Sequence, residues 1–267
     1  MSSTHDHLGG AEPELPADGE LARLYHQNTS LTAANLLEFE ERLSTATAAM
    51  EELYPRIGIS PAAPQIALPR QRGWWGLDRL IRCRRTIRQF IGRPLGMAAL
   101  SRLLLNTAGI TSRPNADADG VPWPRRAAPS AGALFPLEYR LAALNVRGLG
   151  RGIYRYQTMN HCLEQLGEGV PVEHLGRVSL HGDLVASCGA VIGFVADWRR
   201  LIVKYGDRGY RFALLEAGHA AQNLLLTSTA LGLAAVPVGG FIDEEVAGVF
   251  GCDTREQHLV YLIIVGR

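Results

Sequence analysis

The sequence contains very little lysine. Of its 27 basic residues, 26 are arginine, and Lys204 is the single lysine. A coding preference can produce such a bias, and arginine replaces lysine readily on a solvated face. It cannot replace lysine where an amine must lose its proton or adjust its pKa. Lys204 is therefore a candidate for chemistry.

Cysteine is scarce as well, and the four cysteines form no close pair. They are Cys83, Cys162, Cys188 and Cys252. This spacing predicts neither a disulfide framework nor a zinc site, and we expect no metal. The sequence also lacks the Gly-x-Gly-x-x-Gly motif of dinucleotide sites and the Walker lysine motif of nucleoside triphosphate sites.

Two further absences concern charge and long hydrophobic runs. The net charge is +1, so the protein as a whole is not steered towards nucleic acid or anionic lipid. The longest nearly uncharged stretch, residues 184–198, contains Asp197 and is too short to span a bilayer. The N-terminus is acidic and polar, unlike a signal peptide. We expect a cytoplasmic protein with no membrane or nucleic-acid partner.

Hydrophobic spacing divides the chain into three parts. Residues 1–19 are polar and are predicted to be a disordered tail. Residues 20–76 are predicted to be a helical extension and connector, because a helical pattern over 32–54 is followed by residues rich in Pro, Gly and Arg. Residues 77–267 are predicted to form the main domain.

The main domain combines helical and strand patterns without regular alternation. Helices are predicted at 77–83, 97–108 and 210–231, with short ones before residue 190 and after residue 242. Strands are predicted at 137–146, 153–156, 162–166, 190–196 and 259–265. Helices enclosing such a set of strands imply an α+β fold.

An arginine-rich segment closes the first of these helices. Arg84, Thr86 and Arg88 alternate, which directs two guanidinium groups and a hydroxyl towards one phosphate-sized target. A solvated basic face or a nucleic-acid patch explains the composition equally simply.

Two glycine-containing segments could approach a flat ligand closely. Residues 129–136 carry small side chains between a polar loop and a strand, and Gly239 and Gly240 follow an apolar strand. Small residues let backbone N–H groups reach a ligand. Ordinary turns are the alternative for both segments.

Lys204 is followed by Tyr205, just before the longest helix. A lysine beside a tyrosine is a plausible proton-transfer pair, because an ammonium group stabilises a neighbouring phenolate. A solvated lysine beside a surface tyrosine is the alternative.

On the predicted helix at 210–231, one row of polar side chains should face a second subunit, a ligand or a polar network. The row consists of Glu216, His219 and Asn223. We assign His219 no catalytic role.

Taken in order, these motifs resemble the nitroreductase superfamily, and within it the SagB-type dehydrogenases. The resemblance covers about residues 82–267 and rests on an ordered set of motifs. The set is Arg-Arg-Thr-x-Arg, Pro-Ser-Ala-Gly-Ala-Leu-Phe-Pro, Lys-Tyr-Gly-x-Arg-Gly-Tyr-Arg, Leu-Glu-Ala-Gly-His-x-x-Gln-Asn and Gly-Gly-Phe.

The resemblance implies a nitroreductase-like FMN-dependent fold, with a central, mainly antiparallel sheet enclosed by helices. It also implies an intertwined homodimer with one FMN at each subunit interface. The residues that match cofactor-binding positions are Arg84, Arg85, Thr86, Arg88, Pro129, Ser130, Gly132, Gly239 and Gly240. Lys204 and Tyr205 match the catalytic pair of the azoline-oxidising members.

The chain departs from the family pattern at three places. Thr86 replaces the commoner serine, and Phe135 replaces a frequent tyrosine. The sequence ends at Arg267, directly after its last predicted strand. In many nitroreductases a C-terminal arm contacts the FMN phosphate, and here that contact would have to come from Arg267 or from another residue.

The expected function is that of an FMN-dependent dehydrogenase which oxidises thiazoline or oxazoline rings to azoles in peptide natural-product biosynthesis. The expected substrate is a peptide or a carrier-bound azoline, with a cyclodehydratase or synthetase as a partner. Two alternatives stay open: an NAD(P)H-dependent reductase of nitro or quinone compounds, and a non-enzymatic scaffold subunit of a biosynthetic complex.

Overall fold

The computed structural model describes residues 19–53, 76–112, 124–254 and 257–267, and over 45–53 it describes the backbone alone. Residues 1–18 of the predicted 1–19 tail, most of the predicted connector and residues 113–123 lie outside these ranges.

Helices account for much of the described chain. They are α1 (Glu20–Thr29), α2 (Leu36–Leu53), α3 (Leu77–Cys83), α4 (Met97–Ala108), α5 (Val172–Val178), α6 (Gly182–Ser187), α7 (Arg199–Tyr205), α8 (Gly209–Ala230) and α9 (Asp243–Val249). Two 3₁₀ turns lie at Ala131–Ala133 and Gly206–Arg208. The predicted helices at 77–83 and 97–108 are confirmed to the residue.

The strands are β1 (Leu95–Gly96), β2 (Ile110–Ser112), β3 (Arg125–Arg126), β4 (Leu137–Ala143), β5 (Val146–Arg147), β6 (Gly152–Gln157), β7 (Cys162–Glu168), β8 (Ala190–Asp197), β9 (Ala234–Val238) and β10 (Gln257–Gly266). Six of them form one antiparallel sheet in the order β7-β6-β4-β8-β10-β9. The predicted α+β fold with a central antiparallel sheet is confirmed.

The sheet is covered by helices on both faces. Strand β8 is buried at every position, and its side chains alternate between two apolar cores. Ile192 packs in the core that includes Leu103 of α4 and Leu224 of α8. Val191 packs in the opposite core, with Leu175 of α5 among others. Burying each such side chain stabilises the fold by about 1.5–3 kcal/mol.

Helix α8 is buried on one side only. Its bounds agree with the predicted 210–231. Leu215 is 60% exposed and Leu214 is 39% exposed, whereas Leu224 is fully buried. Helix α8 therefore has one inner face and one open face.

Helix α1 is tied to the body of the domain by two carboxylates. The Ala22 N–H donates to Asp207 Oδ1 at 2.9 Å. Just past the end of the helix, the Leu31 N–H donates to Asp243 Oδ2 at 2.8 Å. Burial raises the pKa of Asp243 to about 6, although this hydrogen bond acts in the opposite direction.

Aromatic contacts reinforce this attachment. The rings of Trp198 and Tyr210 stack with centroids 4.6 Å apart, and the His26 ring of α1 lies 4.2 Å from the His258 ring. Burial, and the nearby His26 and Arg23, lower the pKa of His258 to about 3. Helix α1 is thus packed on the same body that carries the candidate site.

Candidate functional site

Lys204 and Tyr205 end helix α7, and both meet the same glycine. A Cβ atom built on Gly132 would lie 2.5 Å from the Tyr205 hydroxyl oxygen and 2.7 Å from Lys204 Nζ. The two polar ends therefore converge on one point, and only a residue without a side chain leaves room for them. The Tyr205 ring is held edge-on against Phe212 of α8, with centroids 4.9 Å apart.

Gly132 belongs to residues 129–136, which we call the glycine loop. Three of its residues have left-handed backbone conformations: Gly132 at φ 58°, Ala133 at 54° and Phe135 at 46°. Glycine adopts this region freely, whereas a left-handed conformation costs other residues about 1–2 kcal/mol each. The loop therefore needs contacts that hold it in this shape.

Three side chains hold Phe135 in place. Its N–H donates to Ser130 Oγ at 2.9 Å, across the loop. Its carbonyl oxygen accepts a hydrogen bond from Arg200 Nη1 at 3.0 Å. The Arg126 guanidinium lies 4.4 Å from the centre of the Phe135 ring, within the range of a cation–π contact.

Glu216 of α8 lies beneath this loop and is only 3% exposed. Burial raises the pKa of its carboxyl to about 7, while hydrogen bonds with Ser130 and the Leu137 backbone, and nearby Arg126, favour the ionised form. Its Oε2 atom has no hydrogen-bond partner among the described residues. Burial beside Glu216 also raises the pKa of Tyr139.

The predicted polar row on α8 therefore separates into three environments. Glu216 is buried beside the glycine loop, and Asn223 Nδ2 donates to the Ala127 carbonyl at 3.2 Å. His219 is exposed in the single chain. The sequence predicted the polar row, but it did not predict that Glu216 lies beside the glycine loop.

The predicted phosphate-binding residues lie on the coil over residues 84–94, which we call the arginine coil. Arg84 caps helix α3, and its Nη1 atom lies 3.5 Å from Thr86 Oγ1. Both residues are half-buried and Arg88 is exposed. The coil then passes the end of β10, where the Ile91 N–H donates to the Arg267 carbonyl. The side chains of Arg84 and Thr86 are close enough to bind the same anion.

Arg85 makes different contacts from Arg84. Its Nη1 atom donates to the Arg82 carbonyl at 2.7 Å and to the Arg84 carbonyl at 2.9 Å. These contacts satisfy carbonyl groups at the end of α3, as cations near helix C-termini commonly do. The role of Arg85 as a cofactor ligand stays a prediction.

Gly239 and Gly240 follow β9. A Cβ atom on Gly239 would lie 4.0 Å from the Tyr261 ring, and one on Gly240 would lie 3.8 Å from the Phe39 ring of α2. Both are ordinary van der Waals distances, so the fold of the chain itself does not require glycine here. Gly239 is exposed and Gly240 is half-buried.

The structure thus places the predicted site residues in three groups. Gly132, Lys204 and Tyr205 are in contact, with Ser130 half-buried and Pro129 exposed in the same loop. Arg84–Arg88 occupy the arginine coil, and the glycine pair occupies the end of β9. Their roles stay predictions.

The described residues offer neither a metal-binding cluster nor a membrane-spanning helix. No group of three or more His, Cys, Asp or Glu side chains could hold a metal ion there. None of the helices in the described ranges is long and apolar enough to cross a membrane.

Comparison with known proteins yields a consistent group of relatives. The profile described as the nitroreductase family matches residues 81–267. A nitroreductase-like protein of Methanocaldococcus jannaschii is 33% identical over 190 residues, which cover 71% of this chain and 89% of that protein.

Two matches concern one processing system of Escherichia coli. The microcin B17-processing protein McbC is 30% identical over 142 residues, which cover 49% of this chain and half of that protein. The microcin synthetase McbBCD complex, solved with truncated pro-MccB17 bound, contains a chain that matches with a TM-score of 0.56 and 22% identity. That match covers 90% of this chain and 98% of the other, and at this identity it supports the fold.

Proposed function

The chain belongs to the nitroreductase family of FMN-dependent oxidoreductases, and from this membership we propose that it is a dehydrogenase which oxidises thiazoline or oxazoline rings to azoles. The SagB-type motifs in the sequence support this narrower assignment. So does the similarity to a microcin B17-processing protein.

The observation that carries the proposal is the convergence of Lys204 and Tyr205 on Gly132. A proton-transfer pair needs two polar ends directed at one place. The missing side chain of Gly132 lets the Tyr205 hydroxyl and Lys204 Nζ come together there.

In the proposed reaction, Tyr205 removes the acidic C–H proton of the azoline ring, and Lys204 stabilises the phenolate that takes part. FMN, when bound, takes up the hydride that leaves the adjacent ring position, and dioxygen is the final electron acceptor. The ring loses one proton and one hydride and becomes aromatic. The glycine loop holds the pair against the substrate.

The residues proposed to hold FMN fit that cofactor chemically. Arg84, Thr86 and Arg88 would hold the phosphate and the ribityl chain, because guanidinium groups and a hydroxyl suit phosphate oxygens. Gly239 and Gly240 would offer backbone N–H groups to the flavin ring. We further propose a homodimer, in which the glycine loop of one chain reaches the flavin of the other.

The proposed substrate is a peptide that arrives with its azoline rings already formed. A synthetase-like partner would make those rings, since dehydrogenation requires them as its starting material. The microcin synthetase complex, which contains a structurally similar chain and a truncated pro-peptide, supports this arrangement.

The proposal is tested with the FMN-loaded protein and a short synthetic peptide that contains one thiazoline. Oxidation makes the product lighter by two hydrogens, which mass spectrometry detects. We expect Lys204→Ala and Tyr205→Phe to keep FMN bound and to lower turnover by about 100-fold or more, the contribution usual for general acid–base catalysis.

Two matched controls lie outside the proposed catalytic pair. Val203 is on the same helix and 75% exposed, and Tyr25 is a tyrosine 57% exposed on α1. Val203→Ala and Tyr25→Phe should retain full turnover. Full activity of both Lys204→Ala and Tyr205→Phe would eliminate the pair as the base.

A reductase of nitro or quinone compounds is the second candidate, favoured by the match to the M. jannaschii protein over 89% of its length. Rapid bleaching of the flavin absorbance by NADPH, with no oxidation of the thiazoline peptide, would select it. Protein that stays colourless with added FMN but copurifies with a synthetase partner would instead select a scaffold role.

A further inference from the structure

We propose that Glu216 is a positioning residue: its buried carboxyl holds the glycine loop in the conformation that places Gly132 against Lys204 and Tyr205. The inference rests on the proposed function in one respect, the catalytic role of that pair. The structural part, a carboxyl that orders the loop, stands on contacts alone.

The carboxyl reaches both ends of the loop. Ser130, near its start, and the backbone of Leu137, directly after its end, are polar neighbours of the Glu216 carboxyl, and both act against the effect of burial on its pKa. Ser130 Oγ in turn accepts the Phe135 N–H at 2.9 Å. One side chain of α8 thereby lies near both ends of a loop that contains three left-handed residues.

Charged and titratable groups face Glu216 from three neighbouring elements. Arg126 comes from β3, Tyr139 from β4 and Arg200 from α7. Both arginines also contact Phe135, one through its ring and the other through its carbonyl oxygen. Ionised Glu216 attracts both guanidinium groups and so draws them towards the loop that they hold.

A purely structural role would be filled better by an apolar side chain. A buried carboxyl without a full set of partners destabilises a fold, and Oε2 of Glu216 has no hydrogen-bond partner among the described residues. A helix that needed only packing here would gain stability from leucine or methionine. A group that is both charged and incompletely satisfied points to a task other than stability.

The first test measures the loop itself by amide hydrogen exchange. Glu216→Ala should speed the exchange of the Phe135 N–H by about 10-fold or more, because its acceptor on Ser130 loses its own anchor. Glu216→Gln should fall between Glu216→Ala and wild type, since an amide oxygen still accepts hydrogen bonds but attracts neither arginine.

The matched control is Ser228→Ala on the same helix. Ser228 is 1% exposed and its Oγ atom also has no partner among the described residues, but it is not a loop contact of Glu216. This variant should leave the exchange of the Phe135 N–H unchanged. Equal exchange in Ser228→Ala and Glu216→Ala would overturn the proposal, because any buried polar group on α8 would then have the same effect.

The pH profile separates positioning from packing. The folded pKa of Glu216, about 7, is above its ordinary value of 4.5, so between these values the folded protein binds more protons than the unfolded chain. The Tm of the wild type should therefore fall as pH rises through this window. Glu216→Gln lacks this loss and should match or exceed the wild-type Tm at pH 8.

Activity gives the last readout. With the thiazoline peptide, Glu216→Gln should lower kcat by about 10-fold with little change in KM, as expected for a misplaced catalytic pair. A lower Tm at pH 8 together with unchanged Phe135 exchange would overturn the positioning role. If the wild type does not oxidise the peptide, the proposed function fails, while the exchange and Tm results still decide the role of Glu216.

Discussion

The glycine loop and the arginine coil are both predicted to serve one cofactor, yet the chain builds them in opposite ways. The loop is held by a buried carboxyl, two arginines and a backbone hydrogen bond, in a shape that costs conformational energy. The coil is mostly exposed, and its arginines contact the Thr86 hydroxyl and nearby backbone carbonyls. The loop is held by contacts within the chain, whereas the coil presents exposed guanidinium groups to which an anion could bind.

The difference between the glycine loop and the arginine coil agrees with the role proposed for each. A proton-transfer pair works only at a fixed distance from the reacting atom, so it needs rigid support. A phosphate group carries its own charge and gathers guanidinium groups around it. The proposed roles therefore match the two structures: a held loop for the proposed proton-transfer pair, and exposed guanidinium groups for the proposed phosphate site.

The sharpest way to break the comparison is Gly132→Ala. The added methyl would collide with the Tyr205 hydroxyl and Lys204 Nζ, and at φ 58° it would strain the backbone. We expect turnover of the thiazoline peptide to fall by about 100-fold or more, because both catalytic groups must move.

The control for that variant is Gly148→Ala. Gly148 also has a positive φ, 81°, but a Cβ atom there meets nothing within 4 Å. Gly148→Ala therefore introduces backbone strain of about 1–2 kcal/mol without the steric collision that Gly132→Ala also causes. Equal loss of turnover in the two variants would show that strain alone accounts for the effect and that the convergence on Gly132 is irrelevant.

On the other side of the comparison, Arg84→Ala should weaken FMN binding by about 10- to 100-fold, the size of one charge-assisted hydrogen bond. Titration of the apoprotein by flavin fluorescence measures this directly. Arg93→Ala is the control, since Arg93 is an exposed arginine on the same coil. Equal weakening by both variants would indicate a diffuse basic surface in place of a phosphate site.

The smallest effect is expected for Arg85→Ala. Because its guanidinium already donates to the carbonyls of Arg82 and Arg84, its loss should lower the free energy of unfolding by about 0.3–1 kcal/mol. Its effect on FMN affinity should be at least several-fold weaker than that of Arg84→Ala. An equal or larger loss of FMN affinity would instead place Arg85 on the cofactor, as the resemblance implies.

Much of the fold was predictable because its signals are local. The apolar runs at 190–196 and 259–265 predicted the strands β8 and β10 with errors of one or two residues. Helices α3, α4 and α8 were equally readable from apolar spacing. Helix α7 was missed because its seven residues mix two arginines, a lysine and apolar side chains without a clear period.

The candidate site was predictable in its residues but not in its contacts. The resemblance named Gly132, Lys204 and Tyr205 separately, while their meeting depends on how the loop before β4 packs against the end of α7. No local pattern records such a long-range approach. Glu216 was noticed as part of a polar row, but its link to Ser130 lies across the fold and required the structure.

The attachment of helix α1 bears on where this protein can be cut or recombined. The family match begins at residue 81, yet Asp207, two residues after Tyr205, accepts a hydrogen bond from Ala22. Trp198 and Tyr210, which flank the proposed catalytic pair in sequence, belong to the aromatic cluster that contacts His26. A chimera that joined residues 81–267 to a foreign leading segment would lose the contacts of α1 with the segment that carries this pair, so the unit to exchange should begin before α1.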